Sequence, residues 1–173
     1  MKRMRLFIVC LLLAAGVVAL SCGNPVHRQQ AVNVITVDGL INPVMARYVE
    51  RGISNAESAH AVALVIRVDT PGGLESSMRD IVKDIEDSGV PVITYVSPSG
   101  ARAASSGTFI VMAGNVAAMS PNTTIGAAHP VGPTGGDITG TLGDKVTNEA
   151  AEYIRGIALL RGRNADWAEQ TVR

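Results

Sequence analysis

Ser105 stands in Ala103-Ala104-Ser105-Ser106-Gly107, a run of small residues between an apolar β-prone segment and an apolar helical one. A second break, Asp69-Thr70-Pro71-Gly72-Gly73, closes another β-prone segment upstream. The first offers a hydroxyl at the mouth of a helix; the second offers a glycine turn whose backbone N–H groups are unobstructed. Acyl transfer through a serine needs both, because donors must meet the oxyanion of the tetrahedral intermediate as it forms. Each has a plainer reading. Pro-Gly-Gly is ordinary turn chemistry, and small residues at 103–107 also suit two elements that pack closely. Ser106 leaves the choice of nucleophile open, and in a helix its own N–H would serve the same oxyanion.

A serine hydroxyl needs a base. His27 falls in a polar unpatterned stretch and His60 flanks a helix end, which leaves His129, between Ala128 and Pro130, as the histidine candidate. Beyond the N-terminal segment the lysines are Lys83 and Lys145. Lys83 sits among Asp80, Asp84, Glu86 and Asp87, a solvated helix face. Lys145 opens a helix after a glycine-rich stretch, and near Asp144 and Glu149 it reads equally as a surface lysine. To act as a base it must be held neutral, which burial favours.

The elements that position these groups alternate. Residues 33–39 read as a strand ending in a turn, and Asn42-Pro43 as a capped helix start with Val44, Met45, Tyr48, Val49 and Ile53 on one face. Val62 to Val68 is a nearly continuous apolar strand of the kind buried on both sides of a parallel sheet. Leu74, Met78, Ile81, Val82 and Ile85 repeat at helical spacing, and residues 90–96 form another strand. Thr108 to Ala113 is an apolar helix and Val116 to Met119 a short strand. This is an α/β progression of repeated β-α-β units. Residues 126–143 hold six glycines and two prolines and read as a flap. A helix follows from Asp144 with Ala150, Ala151, Ile154, Ile157 and Ala158 turned inward, and a last one starts at Ala165.

Composition narrows the class. The 173 residues carry 15 basic and 15 acidic side chains, which recommends neither nucleic acid nor an anionic surface as partner. Residues 1–22 have a basic start and an apolar stretch, the anatomy of an export signal. Cys22 follows Ala19-Leu20-Ser21, so the segment reads as a signal peptide, a lipoprotein signal with Cys22 lipidated, or an anchor. Residues 23–32 are a tether and 33–173 one domain. The cysteines are Cys10 and Cys22, so this domain holds no disulfide. The chain ends within its last helix and reads as an incomplete domain.

Three collinear motifs, 69–73, Gly100 to Thr108 and Asn122 to Pro130, resemble the NfeD family, membrane-bound serine proteases of the ClpP/crotonase fold. The resemblance implies Ser105 as nucleophile and Lys145, opening the helix after the glycine-rich loop, as base. It implies backbone N–H donors at Gly73 and Ser106, with Gly72 shaping the turn. It further implies an exported, membrane-associated endopeptidase without cofactor or metal, acting on apolar segments of membrane proteins. Stomatin-like membrane proteins are the expected partners, with self-association into a dimer or higher oligomer and membrane helices beyond Arg173. His129 stays open as an alternative base, because soluble ClpP peptidases use a Ser-His-Asp triad with a histidine at a similar place. Pro130 pushes His129 toward extended backbone, which favours the lysine. A non-catalytic scaffold of this fold is disfavoured by the presence of both Ser105 and Lys145. An acyl-CoA enzyme of the crotonase group is disfavoured by export, since coenzyme A is cytosolic.

Overall fold

The computed structural model describes residues 31–132 and 135–173. The segment expected to be a signal, Cys22 and the expected tether up to residue 30 lie outside the described residues. In chain order the elements are β1 (Val32–Asp38), α1 (Pro43–Ser58), β2 (Ala63–Asp69), α2 (Glu75–Asp87), β3 (Val92–Val96), β4 (Arg102–Ala104), α3 (Ser106–Ala113), β5 (Val116–Met119), β6 (Thr124–Gly126), α4 (Gly140–Leu160) and α5 (Ala165–Gln170). A parallel sheet runs in the order β1-β2-β3-β5, and β4 pairs with β6 in a second, two-stranded parallel sheet. The repeated β-α-β units expected from the alternating pattern are present.

Local chemistry accounts for most boundaries. Asn42 caps α1, its Oδ1 accepting from the N–H groups of Val44 at 2.9 Å and Met45 at 3.0 Å, with Pro43 in the first turn. The buried stripe of α2 is Ser77, Met78, Ile81, Val82 and Ile85, and that of α4 includes Ala150, Ala151, Ile154, Ile157 and Ala158. Asn164 caps α5 by accepting from Trp167 N–H at 3.0 Å.

Three expectations are corrected. The inward stripe of α1 is Ala46, Val49, Gly52, Ile53 and Ala56, while Val44 and Tyr48 face solvent. Small residues let this helix lie close on the sheet, and that turns the larger ones outward. β2 is not buried on both sides: Leu64, Ile66 and Val68 are buried, whereas Val65, Arg67 and Asp69 are half-exposed. The second face is only partly covered, and Arg67 on it donates from Nε to Ser97 Oγ at 3.1 Å. The helix after the glycine-rich stretch begins at Gly140, not Asp144, with Gly143 buried inside it. The connection after β6 is correspondingly shorter than expected.

Between α1 and α2 runs an acidic groove that includes Glu50, Asp84 and Asp87. Burial, then the Glu50 charge, raises the Asp84 pKa above the ordinary carboxylate range. The contribution of Asp84 to stability is therefore most favourable below that range and declines as pH climbs through the raised folded value. Asp84→Asn should raise thermal stability at neutral pH by less than about 0.5 kcal/mol. Melting curves should show that gain vanish in acid.

Candidate active site

The glycine turn is built on Thr70, the first residue beyond β2. Its Oγ1 donates to the Gly39 carbonyl at 2.6 Å and accepts from Gly72 N–H at 3.1 Å. Its backbone pairs with β4: Thr70 N–H donates to Arg102 O at 2.7 Å, and Ala104 N–H donates to Thr70 O at 3.0 Å. The Gly72 amide is thus spent inside the turn. Gly73 is extended and paired with Ile41, whose N–H donates to Gly72 O and whose carbonyl accepts from Leu74 N–H, both at 2.9 Å. That pairing directs the N–H and C=O of Gly73 itself to the opposite side. There its carbonyl accepts from Ser106 Oγ at 3.0 Å, so its amide faces the start of α3.

Ser105 occupies the N-cap position of α3 at φ 52°, ψ −119°. This is a strained strand-to-helix turn of the kind that thrusts a nucleophilic side chain out of the backbone. Three hydrogen bonds enforce it. Ser105 N–H donates to Gly126 O at 2.9 Å, Thr108 N–H donates to Ser105 O at 2.9 Å, and Gly126 N–H donates to Thr108 Oγ1 at 3.1 Å. Thr108 Oγ1 also lies 3.0 Å from Ala103 O and 2.9 Å from Gly126 O. Two glycines are demanded by contact. A Cβ at Gly107 would sit 2.5 Å from Thr70 Cγ2, and one at Gly72 would sit 2.6 Å from Ser105 Cβ and 3.1 Å from its Oγ. The turn and the serine therefore touch.

The two serines differ in what they are free to do. Ser106 is buried with its hydroxyl engaged by the Gly73 carbonyl, while Ser105 is half-buried with its hydroxyl beside the turn. Ser106 opens the helix, so its N–H has no intrahelical acceptor. At the far end of α3, Arg161 Nε donates to Ala113 O at 2.7 Å, and Arg163 donates to Met112 O at 2.7 Å and Gly114 O at 2.8 Å. These cations satisfy the terminal carbonyls, leaving the positive end of the helix dipole at Ser105.

The candidate bases are placed less tightly. Lys145 is exposed in the second turn of α4 and makes no hydrogen bond or ion pair among the described residues. The burial expected of a neutral lysine is absent here. His129 Nδ1–H donates to Val172 O at 2.8 Å, which leaves Nε2 as an acceptor. Ala128 N–H donates to Thr171 O at 2.8 Å, so the end of the chain holds this segment. Gly72, Gly73, Ser105 and Ser106 are brought together; no hydrogen bond joins either base to Ser105. Sequence reasoning missed Thr70 and Thr108, the two buried hydroxyls that hold the turns. Their signal was position: each borders a glycine motif. Among the described residues no cluster of His, Cys, Asp or Glu could hold a metal ion.

This combination of fold and motifs has a match along nearly its whole described length. The family model for the NfeD1b N-terminal domain fits residues 31–172. The chain belongs to the NfeD1b family. It is 37% identical over 164 residues to the membrane-bound protease PH1510 of Pyrococcus horikoshii, an alignment covering 93% of this chain and 37% of that protein. It is 33% identical over 105 residues to the membrane protein NfeD1b of Bacillus subtilis, covering 61% of this chain and 23% of that one. The NfeD1b domain described here thus spans well under half the length of either relative.

Solved structures give the same fold. The 1510-N membrane-bound stomatin-specific protease, in a serine-to-alanine form, is 38% identical with a TM-score of 0.77, covering 83% of this chain and 70% of that one. Its lysine-to-alanine form in complex with a substrate peptide has the same identity and TM-score, covering 83% and 66%. The NfeD1b domain is therefore ClpP/crotonase-like, as the motifs implied. No described helix is long and apolar enough to cross a membrane.

Proposed function

We propose that this NfeD1b domain is a serine endopeptidase working through a Ser105–Lys145 dyad. The observation that carries the reading is the contact between the strained Ser105 turn and the Gly72-Gly73 turn, the two being joined also by Ser106 Oγ donating to the Gly73 carbonyl at 3.0 Å. Ser105 Oγ attacks the scissile carbonyl carbon and passes its proton to Lys145 Nζ. The oxyanion accepts from Gly73 and Ser106 N–H. Lys145 then protonates the leaving amine as the C–N bond breaks. Water, deprotonated by Lys145, cleaves the acyl-enzyme, and the proton returns to Ser105.

Two further facts support this reading. The serine and lysine replaced in the two 1510-N structures stand one residue further apart in that chain than Ser105 and Lys145 do here. Catalytic hydrogen bonds are commonly long in a free enzyme and tighten only with substrate, which accommodates the exposed Lys145. By the same relationship the substrates are apolar segments of membrane proteins, stomatin-like ones included, and the protein works at a membrane after export. Cys22 lipidation would be one way of holding it there, and self-association is part of the proposal. A second reading keeps His129 as base, because its Nδ1–H is oriented by the Val172 carbonyl and its Nε2 makes no hydrogen bond among the described residues.

Gly73→Ala tests the oxyanion assignment. The added methyl would meet Ile41 O at 2.1 Å, so the turn must move and its amide with it. Loss of one such donor lowers turnover by about 10²–10³-fold, or about 2.7–4 kcal/mol. Steady-state kinetics should show the fall in kcat with KM little changed. A folded variant with wild-type kcat removes Gly73 from the mechanism.

A further inference from the structure

Arg79 joins the three helices that carry the parts of the site. It lies one turn into α2, the helix that follows the glycine turn. Its Nε donates to Glu75 Oε1 at 2.9 Å, and a terminal nitrogen donates to Glu149 on α4. Its Cζ lies 4.2 Å from the centroid of the Tyr153 ring, also on α4. Tyr153 in turn stacks on Phe109 of α3 at 5.8 Å between centroids. Burial opposes the Arg79 charge, but the hydrogen bonds to Glu75 and Glu149 outweigh it and raise its pKa.

The position of Glu149 gives this clamp a chemical consequence. Glu149 lies four residues beyond Lys145 on the same helix, the spacing at which such side chains meet on a helix surface. A carboxylate there would stabilise the ammonium form of the lysine, the form unable to accept a proton. In the structure Arg79 holds that carboxylate.

We infer that Arg79 is a positioning residue that withholds Glu149 from Lys145 and so leaves the lysine able to give up its proton. This rests on the dyad reading. The charged groups on α4 beside Lys145 are Asp144, Glu149, Glu152 and Arg155, with Asp137 before the helix; α2 brings Glu75 and Arg79, and the C-terminal end brings Asp166, Glu169 and Arg173, of which Asp166 and Glu169 pair with Arg155. Arg173 is occupied with Glu169 and Asn148. Of the acidic groups, Glu149 combines one-turn spacing from Lys145 with capture by a cation from another helix.

The test is the pH profile of kcat/KM for a fluorogenic peptide, measured on the full-length protein. Arg79→Gln should move the rising limb to higher pH by about 0.3–0.5 unit, a two- to threefold loss of rate on that limb. Arg79→Gln/Glu149→Gln should return the limb to its wild-type place, a rescue that a purely structural role for Arg79 would not give. Arg79→Lys keeps a cation beside Glu149 and should leave the limb unmoved, which also guards against misfolding of the glutamine variant. An unmoved limb in folded Arg79→Gln, or a shift that persists in the double variant, overturns the inference while the dyad stands. An active Lys145→Ala overturns the dyad and this inference together.

Discussion

Ser105→Ala is expected to lower turnover by a factor on the order of 10⁶, as loss of a serine nucleophile does where serine and base act as a unit. The fold should not follow. Ser105 contributes its backbone, not its hydroxyl, to the bonds with Gly126 and Thr108, and alanine keeps that backbone. Alanine suffers the same positive φ as serine, so the strain of the turn is unchanged. Ser106→Ala is the opposite case. It removes a partly buried hydrogen bond to the Gly73 carbonyl, costs about 1 kcal/mol of stability, and keeps most activity, because the Ser106 amide remains. Labelling with a fluorophosphonate and locating the adduct by mass spectrometry separates the two serines. An adduct on Ser106, or one that survives Ser105→Ala, would sink the assignment of the nucleophile.

Why that assignment was visible in the sequence, while its supports were not, follows from what each depends on. Ala-Ala-Ser-Ser-Gly and Pro-Gly-Gly are local demands: small residues where the backbone lies against a neighbouring side chain, as the contacts of Gly107 with Thr70 Cγ2 and of Gly72 with Ser105 Cβ require. Serine acyl transfer needs a hydroxyl and oxyanion donors in one place, and that requirement paired the two motifs. Helices α2 and α4 were legible because apolar positions repeat along each: Met78, Ile81, Val82 and Ile85 in the first, and Ala150, Ala151, Ile154, Ile157 and Ala158 in the second. Strands β4 and β6 have three residues each, too few for a period to appear, and are held by tertiary bonds such as Arg102 N–H to Asp69 Oδ1 at 3.0 Å. The start of α4 was misread because Gly140 and Gly143 are helix breakers by propensity, and burial of Gly143 overrides that. Arg79 gave no signal at all. Its meaning lies in the meeting of α2 with α4, and no spacing within either helix foretells a partner on the other.

The second large effect concerns the base. Lys145→Ala should reduce turnover by about 10⁴-fold or more under the dyad reading, because Ser105 alone is a weak nucleophile at neutral pH. Activity of the wild type should rise with pH on the alkaline side as the lysine ammonium loses its proton. His129→Ala should keep activity within about tenfold. Among the described residues its imidazole is bound to a backbone carbonyl and not to the carboxylate that stabilises an imidazolium in a triad. Removing the ring still breaks the tie to Val172, and that accounts for the modest loss allowed. A histidine base predicts the reverse: an inert His129→Ala, a tolerant Lys145→Ala, and a rise in rate centred near pH 6.5. Lys145→Arg completes the set. Arginine keeps charge and length but cannot be deprotonated, so an inert arginine variant of native fold shows that the site needs a neutral amine at 145, and an active one means that Lys145 only binds.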